Sequence, residues 1–361
     1  MMTKSFNPAI SVIIPMYNTE KYIGECLESV LAQTFQDFEI IVVDNCSTDN
    51  SCAVVESYVK KFADKIKLVR KNFNSGGGGQ SRSDGLRYSR GKYLFFMDND
   101  DVMVNDSLEE LYNLAEDFQA DVVHCQNHFQ IKDDSENVST DEKFLKIIPS
   151  GKIEQVDEPK FMTNNLAERV KLFSEEKLGW APWLNLINRD LIAKFDLKFL
   201  QMRISDDFIF FFFLLCSAEK FLLQSKPLYV YRVHQASMMH KGMNLNEITH
   251  YRIGEFFLGM KNIDDFMKKF DFFEESPDYK YKVFDLFAGN AGLTSAVLRL
   301  YNNIPAPVVD KMIREELKNF DDTSAAVAFL FSRMSILTIN FIRQQNLINQ
   351  LQMENKNLKE Q

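Results

Sequence analysis

The sequence is short of several things, and each shortage closes off a class of function. Its 361 residues hold five cysteines (Cys26, Cys46, Cys52, Cys125 and Cys216), odd in number and without a CxxC pair. A reducing compartment therefore fits better than a disulfide framework. Histidines are sparse, and His124 and His128 have helical spacing inside a strand-like stretch, which argues against a zinc pair. The longest apolar run, "FIFFFFLLCSA" from Phe208, falls short of the ~20 residues that cross a bilayer. The opening "MMTKSFNPAI" has no apolar core of the signal-peptide kind. A formal charge of −9 gives no general attraction to nucleic acid or anionic membrane. Neither GxGxxG nor GxxxxGK[ST] occurs, and no serine sits in a nucleophile-elbow context. The expectation is a soluble cytoplasmic protein with no nucleic-acid partner. Peripheral contact with the inner face of a membrane stays open.

What is present is alternation. Short β-branched runs ("AISVIIP", which Pro15 is expected to stop, "FEIIVVD", "IKLVRK", "KYLFFMD", "ADVVHCQ") alternate with helical stretches. In "TEKYIGECLESVLAQT" the residues Tyr22, Ile23, Cys26, Leu27, Val30 and Leu31 fall on one face, with Thr19 as the expected cap. Such alternation predicts an α/β protein with a Rossmann-like, mostly parallel sheet flanked by helices. Asp106 and Glu109 stand at capping-box spacing. Residues 131–160 read as a polar excursion. Helical spacing dominates from about residue 245.

In such sheets ligands bind beyond the carboxyl ends of strands, so the chemistry is sought there. "YLFFMDNDD" runs a buried strand into Asp98, Asp100 and Asp101. Carboxylates two positions apart can share a hard divalent cation, Mg²⁺ or Mn²⁺; a solvated turn is the competing reading. Asp44 ends another strand and can accept from a nucleotide base or ribose, or cap the following helix. "NSGGGGQSR" either lets backbone approach a phosphate, with Arg82 as counter-charge, or simply connects strand to helix. Asp206 and Asp207 precede a very apolar helix, as dipole-favoured acids or as a general base beside a dry pocket. Trp180 and Trp183 suit an acceptor-sugar platform or the core. "YRVHQASMMH" offers Arg232, His234 and His240 to a phosphate or metal.

Together, "SVIIPMYNTEKYIGECLESVLAQTFQDFEIIVVDNCSTDNS", "NSGGGGQSRSDGLRYSRGKYLFFMDNDD" and "SDDFIFFFF" resemble the family-2 glycosyltransferases of GT-A fold, over about residues 8–240. The resemblance implies an inverting transferase with a nucleotide-sugar donor, usually carrying UDP, a divalent metal, and a glycan or glycolipid acceptor in bacterial surface polysaccharide synthesis. By carry-over, Pro15, Tyr17 and Glu20 lie around the nucleotide and Asp44 contacts the uracil. Arg82 lies near the base or ribose, Asp98 faces the ribose or sugar, and Asp100 ligates the metal, which Asp98 can share. Asp207 matches the catalytic base and His234 a position able to reach the metal. The chain departs from the family pattern at Asn45, often aspartate, at Ser83, often asparagine, and at Asp206, commonly glutamate. A metal-dependent nucleotidyltransferase and a non-catalytic sugar-nucleotide-binding scaffold are the competing functions.

Three regions are expected: a catalytic domain over 1–240, a helical region over 241–326, and a C-terminal helix over 327–361. In the last, Val327, Leu330, Met334, Leu337, Phe341, Gln344, Ile348, Leu351, Asn355 and Leu358 follow a heptad, which predicts a coiled coil and a homo-oligomer.

Overall fold

The computed structural model describes residues 7–132, 145–233 and 244–318, with the single positions 344, 345 and 348. His234 and the remainder of the heptad lie outside the described residues. Two compact units emerge: residues 1–241 with 271–279, and residues 242–270 with 280–361.

The first unit opens with the expected alternation: β1 (Ile10–Met16), α1 (Ile23–Leu31), β2 (Phe38–Asp44), α2 (Ser51–Lys61), β3 (Ile66–Arg70), α3 (Gly78–Tyr88) and β4 (Tyr93–Phe96). There follow β5 (Val102–Met103), α4 (Ser107–Asp117), β6 (Val122–Cys125), β7 (Asn127–Lys132), β8 (Lys146–Pro149) and β9 (Lys160–Phe161). The unit continues with α5 (Leu166–Ser174), β10 (Asn185–Asn188), α6 (Arg189–Phe195), α7 (Asp206–Ser217), β11 (Phe221–Gln224) and β12 (Tyr229–Val233). The main sheet has eight strands in the order β3-β2-β1-β4-β10-β6-β11-β9, and a smaller sheet the order β5-β12-β7-β8. β1 pairs in parallel with both β2 and β4, and β2 with β3. Every residue of β1, β2 and β4 is buried, as continuous β-branched and aromatic runs require in a sheet covered on both faces.

Several local expectations give way to non-local partners. β1 runs through Pro15 to Met16 in register with Val43 and Asp44; a proline near the strand end costs only one ladder donor. Thr19 does not cap α1, which begins after Tyr22; its backbone N–H instead donates to Ser51 Oγ at 2.8 Å. The Asp106 side chain makes no capping bond because Lys226 takes its carboxylate at 2.7 Å, while Glu109 accepts from Thr34. Inside the polar excursion, β8 pairs with β7. β10 enters the main sheet antiparallel between β4 and β6, an insertion that no periodicity announces.

The second unit is helical. A capping box between Asn244 and Glu247 starts a turn that widens into a π-helix over Ile248–Gly254 and continues as α8 (Glu255–Met267). Phe256 stacks on Phe287 at 5.2 Å, and Ile253, Val297, Leu300, Val309 and Ile313 are buried there. Among the described residues no helix is long and apolar enough to cross a membrane.

Candidate active site

The carboxyl ends of β1, β2, β3 and β4 form one edge, and the loops after them are bound to each other. After β1, Tyr17 is 42% exposed, and Asn18 and Thr48 exchange hydrogen bonds. Glu20 accepts from the Asn50 N–H at 2.8 Å and donates its own N–H to Asp49. The Pro15 carbonyl accepts from Asn99 Nδ2 at 2.6 Å, which ties β1 to the aspartate turn. Asp44 is 4% exposed, and its Oδ1 accepts from the Ser47 N–H at 3.0 Å.

Asn45 holds the glycine-rich loop. Its Nδ2 donates to Asn74 Oδ1 and to the Gly77 carbonyl, and its Oδ1 accepts from the Ser75 N–H and hydroxyl at 3.0 and 2.9 Å. The departure from the aspartate usual in the family is thus matched by the loop it binds. Asn45→Asp would turn an acceptor toward the Gly77 carbonyl. It is expected to cost about 1–3 kcal/mol in urea unfolding and to expose residues 74–77 to limited proteolysis. Wild-type behaviour in both assays would refute this.

Two of the glycines serve packing. A Cβ at Gly77 would run into the Met202 carbonyl, and one at Gly79 would lie 2.5 Å from Asp206 Oδ2 and 2.6 Å from the Leu200 carbonyl. The run connects β3 to α3, and Gly77 and Gly79 also let the start of α3 close onto the segment that leads into α7.

That closure brings Arg82 between two carboxylates. Its Nη2 lies 2.7 Å from Asp98 Oδ1 and its Nη1 3.3 Å from Asp206 Oδ2, with side-chain exposures of 10, 30 and 9% respectively. Burial opposes the Arg82 charge, but Asp98 and Asp206 more than offset it and hold its pKa above the usual value. Burial pushes the Asp206 carboxyl up to about 7, the Asp207 charge adding and Arg82 opposing. Burial also raises Asp207, which is half-buried and whose Oδ1 accepts from the Phe208 N–H at 2.8 Å. The two acids of α7 are thereby distinguished: Asp206 is spent on Arg82, whereas Asp207 keeps solvent access.

The aspartate turn is divided in the same way. Asp98 and Asp100 are half-buried, while Asp101 is 1% exposed. Asp101 accepts from the Tyr229 hydroxyl at 2.8 Å and from the Arg232 N–H at 2.7 Å. Arg232, offered by the sequence to a phosphate or metal, is instead 4% exposed and committed inward. Its Nε donates to the Asp100 carbonyl at 2.8 Å and its Nη2 meets Glu25 at 2.5 Å. The inward role of Asp101, and Glu25 altogether, escaped the sequence reading because their partners lie more than a hundred residues away in sequence.

Trp183 is likewise placed in the core rather than on an acceptor surface. It is 8% exposed, with Tyr229 stacked on it at 4.5 Å and 6°. It supports from beneath the tyrosine that holds the turn. Trp180, half-buried and edge-on to Phe208, keeps the exposed area. His124 and His128 are pushed to about 4 by burial and are neutral packing residues.

The donor chemistry of the turn suits a divalent cation. Asp98 and Asp100 offer hard oxygens two residues apart at a strand end. Among the described residues no three His, Cys, Asp or Glu side chains form a ready cage. Mg²⁺ needs none, because it takes one or two carboxylates and completes its shell with substrate phosphates and water.

The mostly parallel sheet thus ends in carboxylates, and Arg82 joins Asp98 there to Asp206 at the start of α7. Residues 11–173 match the family described as Glycosyl transferase family 2, and that region of the chain is a member of it. The chain is 30% identical over 233 residues to the uncharacterized glycosyltransferase EpsJ of Bacillus subtilis, covering 64% of this chain and 63% of that protein. It is 39% identical over 115 residues to the poly(ribitol-phosphate) beta-glucosyltransferase of Bacillus spizizenii, covering 31% and 18%. The chain thus spans less than two thirds of the length of either relative. In fold it is similar to S. aureus TarS 1–349 in complex with UDP-GlcNAc, with a TM-score of 0.62 and 20% identity over 90% of this chain and 87% of that one.

Proposed function

We propose that the chain is an inverting glycosyltransferase that moves a sugar from a nucleotide donor, UDP by preference, to a glycan or glycolipid acceptor of a bacterial surface polysaccharide. The observation that carries this reading is the meeting of Asp98 and Asp206 on Arg82, which sets the donor carboxylates and the base-bearing turn of α7 around one side chain. The family match, a relative named as a poly(ribitol-phosphate) beta-glucosyltransferase and one named for minor teichoic acid biosynthesis support it.

In this reading Asp44, Tyr17, Pro15 and Glu20 form the nucleotide end of the site. Asp98 and Asp100 would hold the divalent cation, Mn²⁺ or Mg²⁺. When bound, that ion supplies Lewis-acid stabilisation of the leaving diphosphate. Asp207 accepts the proton of the acceptor hydroxyl as that oxygen attacks the anomeric carbon from the face opposite the nucleotide. The mostly apolar body of α7 behind Asp207 excludes water from one side.

The test is nucleotide release from a panel of nucleotide sugars with Mn²⁺ or Mg²⁺ and candidate acceptors. Excess EDTA is expected to abolish turnover, and Asp100→Ala to do the same in a protein whose unfolding transition is unchanged. Full turnover in EDTA would remove the metal. Pyrophosphate release from a nucleoside triphosphate would instead make the protein a nucleotidyltransferase, and nucleotide binding without turnover would make it a scaffold.

A further inference from the structure

The family pattern carries glutamate where this chain has Asp206, and the structure shows where the shorter acid is held. Asp206 Oδ2 sits against the first turn of α3 at the place Gly79 leaves open, and 3.3 Å from Arg82 Nη1. The other end of the same guanidinium holds Asp98 at 2.7 Å, while Arg82 Nε is buried without a hydrogen-bond partner. The hydrogen bonds that aim the head group are therefore those of its Nη groups, over the face of Phe199. Ser205, just before the acid pair, has φ of 63°, a left-handed conformation that costs a non-glycine residue about 1–3 kcal/mol and persists only where surroundings enforce it. The turn carrying Asp207 is held from outside, and Arg82 is part of what holds it.

We infer that Arg82 and Asp206 are positioning residues that tie the placement of Asp207 to the occupancy of the donor carboxylates. The inference rests on the donor reading above. A guanidinium is planar and rigid, so a ligand that draws on Asp98 changes the pull on the opposite end, at Asp206 and hence at the first turn of α7. Coupling of this kind is reciprocal: whatever fixes the α7 turn also favours donor binding. If Arg82 only neutralised buried charge, its loss would cost stability and leave the two halves with nothing to communicate.

Hydrogen–deuterium exchange on the full chain, with and without UDP and Mn²⁺, reads this directly. In the wild type, UDP is expected to slow exchange both at residues 96–101 and at residues 205–210. Asp206→Asn, nearly isosteric, should keep the protection at 96–101 and lose most of that at 205–210. Its kcat should fall about tenfold with little change in donor KM, the pattern of an interaction realised in the transition state. Arg82→Lys, a point charge that cannot bridge two carboxylates in one plane, should behave like Asp206→Asn. Melting curves confirm that each variant is folded, and Asp206→Asn carries the test alone if Arg82→Lys does not fold. Protection at 96–101 but not at 205–210 in the wild type would overturn the coupling and leave the donor reading intact. So would full protection of both segments in Asp206→Asn. Protection at neither segment by UDP, GDP, CDP or dTDP would overturn the donor reading and the coupling with it.

Discussion

Asp207→Asn is expected to cut sugar transfer by about 10²–10⁴-fold, the contribution of a positioned general base, while UDP binding stays within about twofold. The asparagine keeps the size of the side chain and can still accept the Phe208 N–H, so the α7 turn stays folded; only the capacity to take a proton is lost. The pH profile gives a second reading. A base works only when ionised, so kcat falls as pH drops through the pKa of the acid pair. Burial raises both carboxyls, Asp206 to about 7. The acid limb of the wild-type profile therefore lies above the ordinary carboxylate range, and the residual activity of Asp207→Asn should lack it. Isothermal titration with UDP and a steady-state pH series make the comparison. A larger loss in Asp206→Asn than in Asp207→Asn would move the base to Asp206, and two mild effects would remove the acid pair from the chemistry.

The parts of this molecule that could be read from sequence are those whose cause is local. A run such as "FEIIVVD" declares a buried strand by its own composition, and a carboxylate following it is at the strand end by construction, which is why Asp44, Asp98 and Asp100 could be placed. The buried face of α1, Ile23, Cys26, Leu27 and Val30, follows from spacing alone. Caps were the least legible, because a cap is a competition. Asp106 has the spacing for a box, yet Lys226, 120 residues on, wins its carboxylate. β10 could not be foreseen, since "NLIN" is only four residues long and owes its strand form to the edges of β4 and β6. The glycine run shows the same limit: its sequence suggests flexibility or phosphate, and its reason is the carbonyls of Leu200 and Met202 and the carboxylate of Asp206 pressed against it. Arg82 could be singled out from the sequence but its partners could not, because one of them lies 124 residues away.

The same non-local logic makes Asp101 the position whose loss should damage the site most without touching any ligand. Asp101→Ala would strip the Tyr229 hydroxyl and the Arg232 N–H of their buried acceptor, at about 1–3 kcal/mol each. The Tyr229 oxygen also accepts the Asp98 N–H at 3.1 Å, and Arg232 holds the Asp100 carbonyl. Both outward-facing acids are therefore positioned through the one that faces inward. The expected result is a melting temperature lowered by about 5–15 °C, together with loss of metal-dependent turnover measured well below the new transition. Tyr229→Phe separates the two arms. It keeps the ring on Trp183, removes only the hydroxyl, and should cost about 1 kcal/mol with turnover reduced rather than lost. If Asp101→Ala melts like the wild type, the turn is held by something other than this brace. If it melts early but turns over normally when folded, the brace supports the fold and not the placement of Asp98 and Asp100.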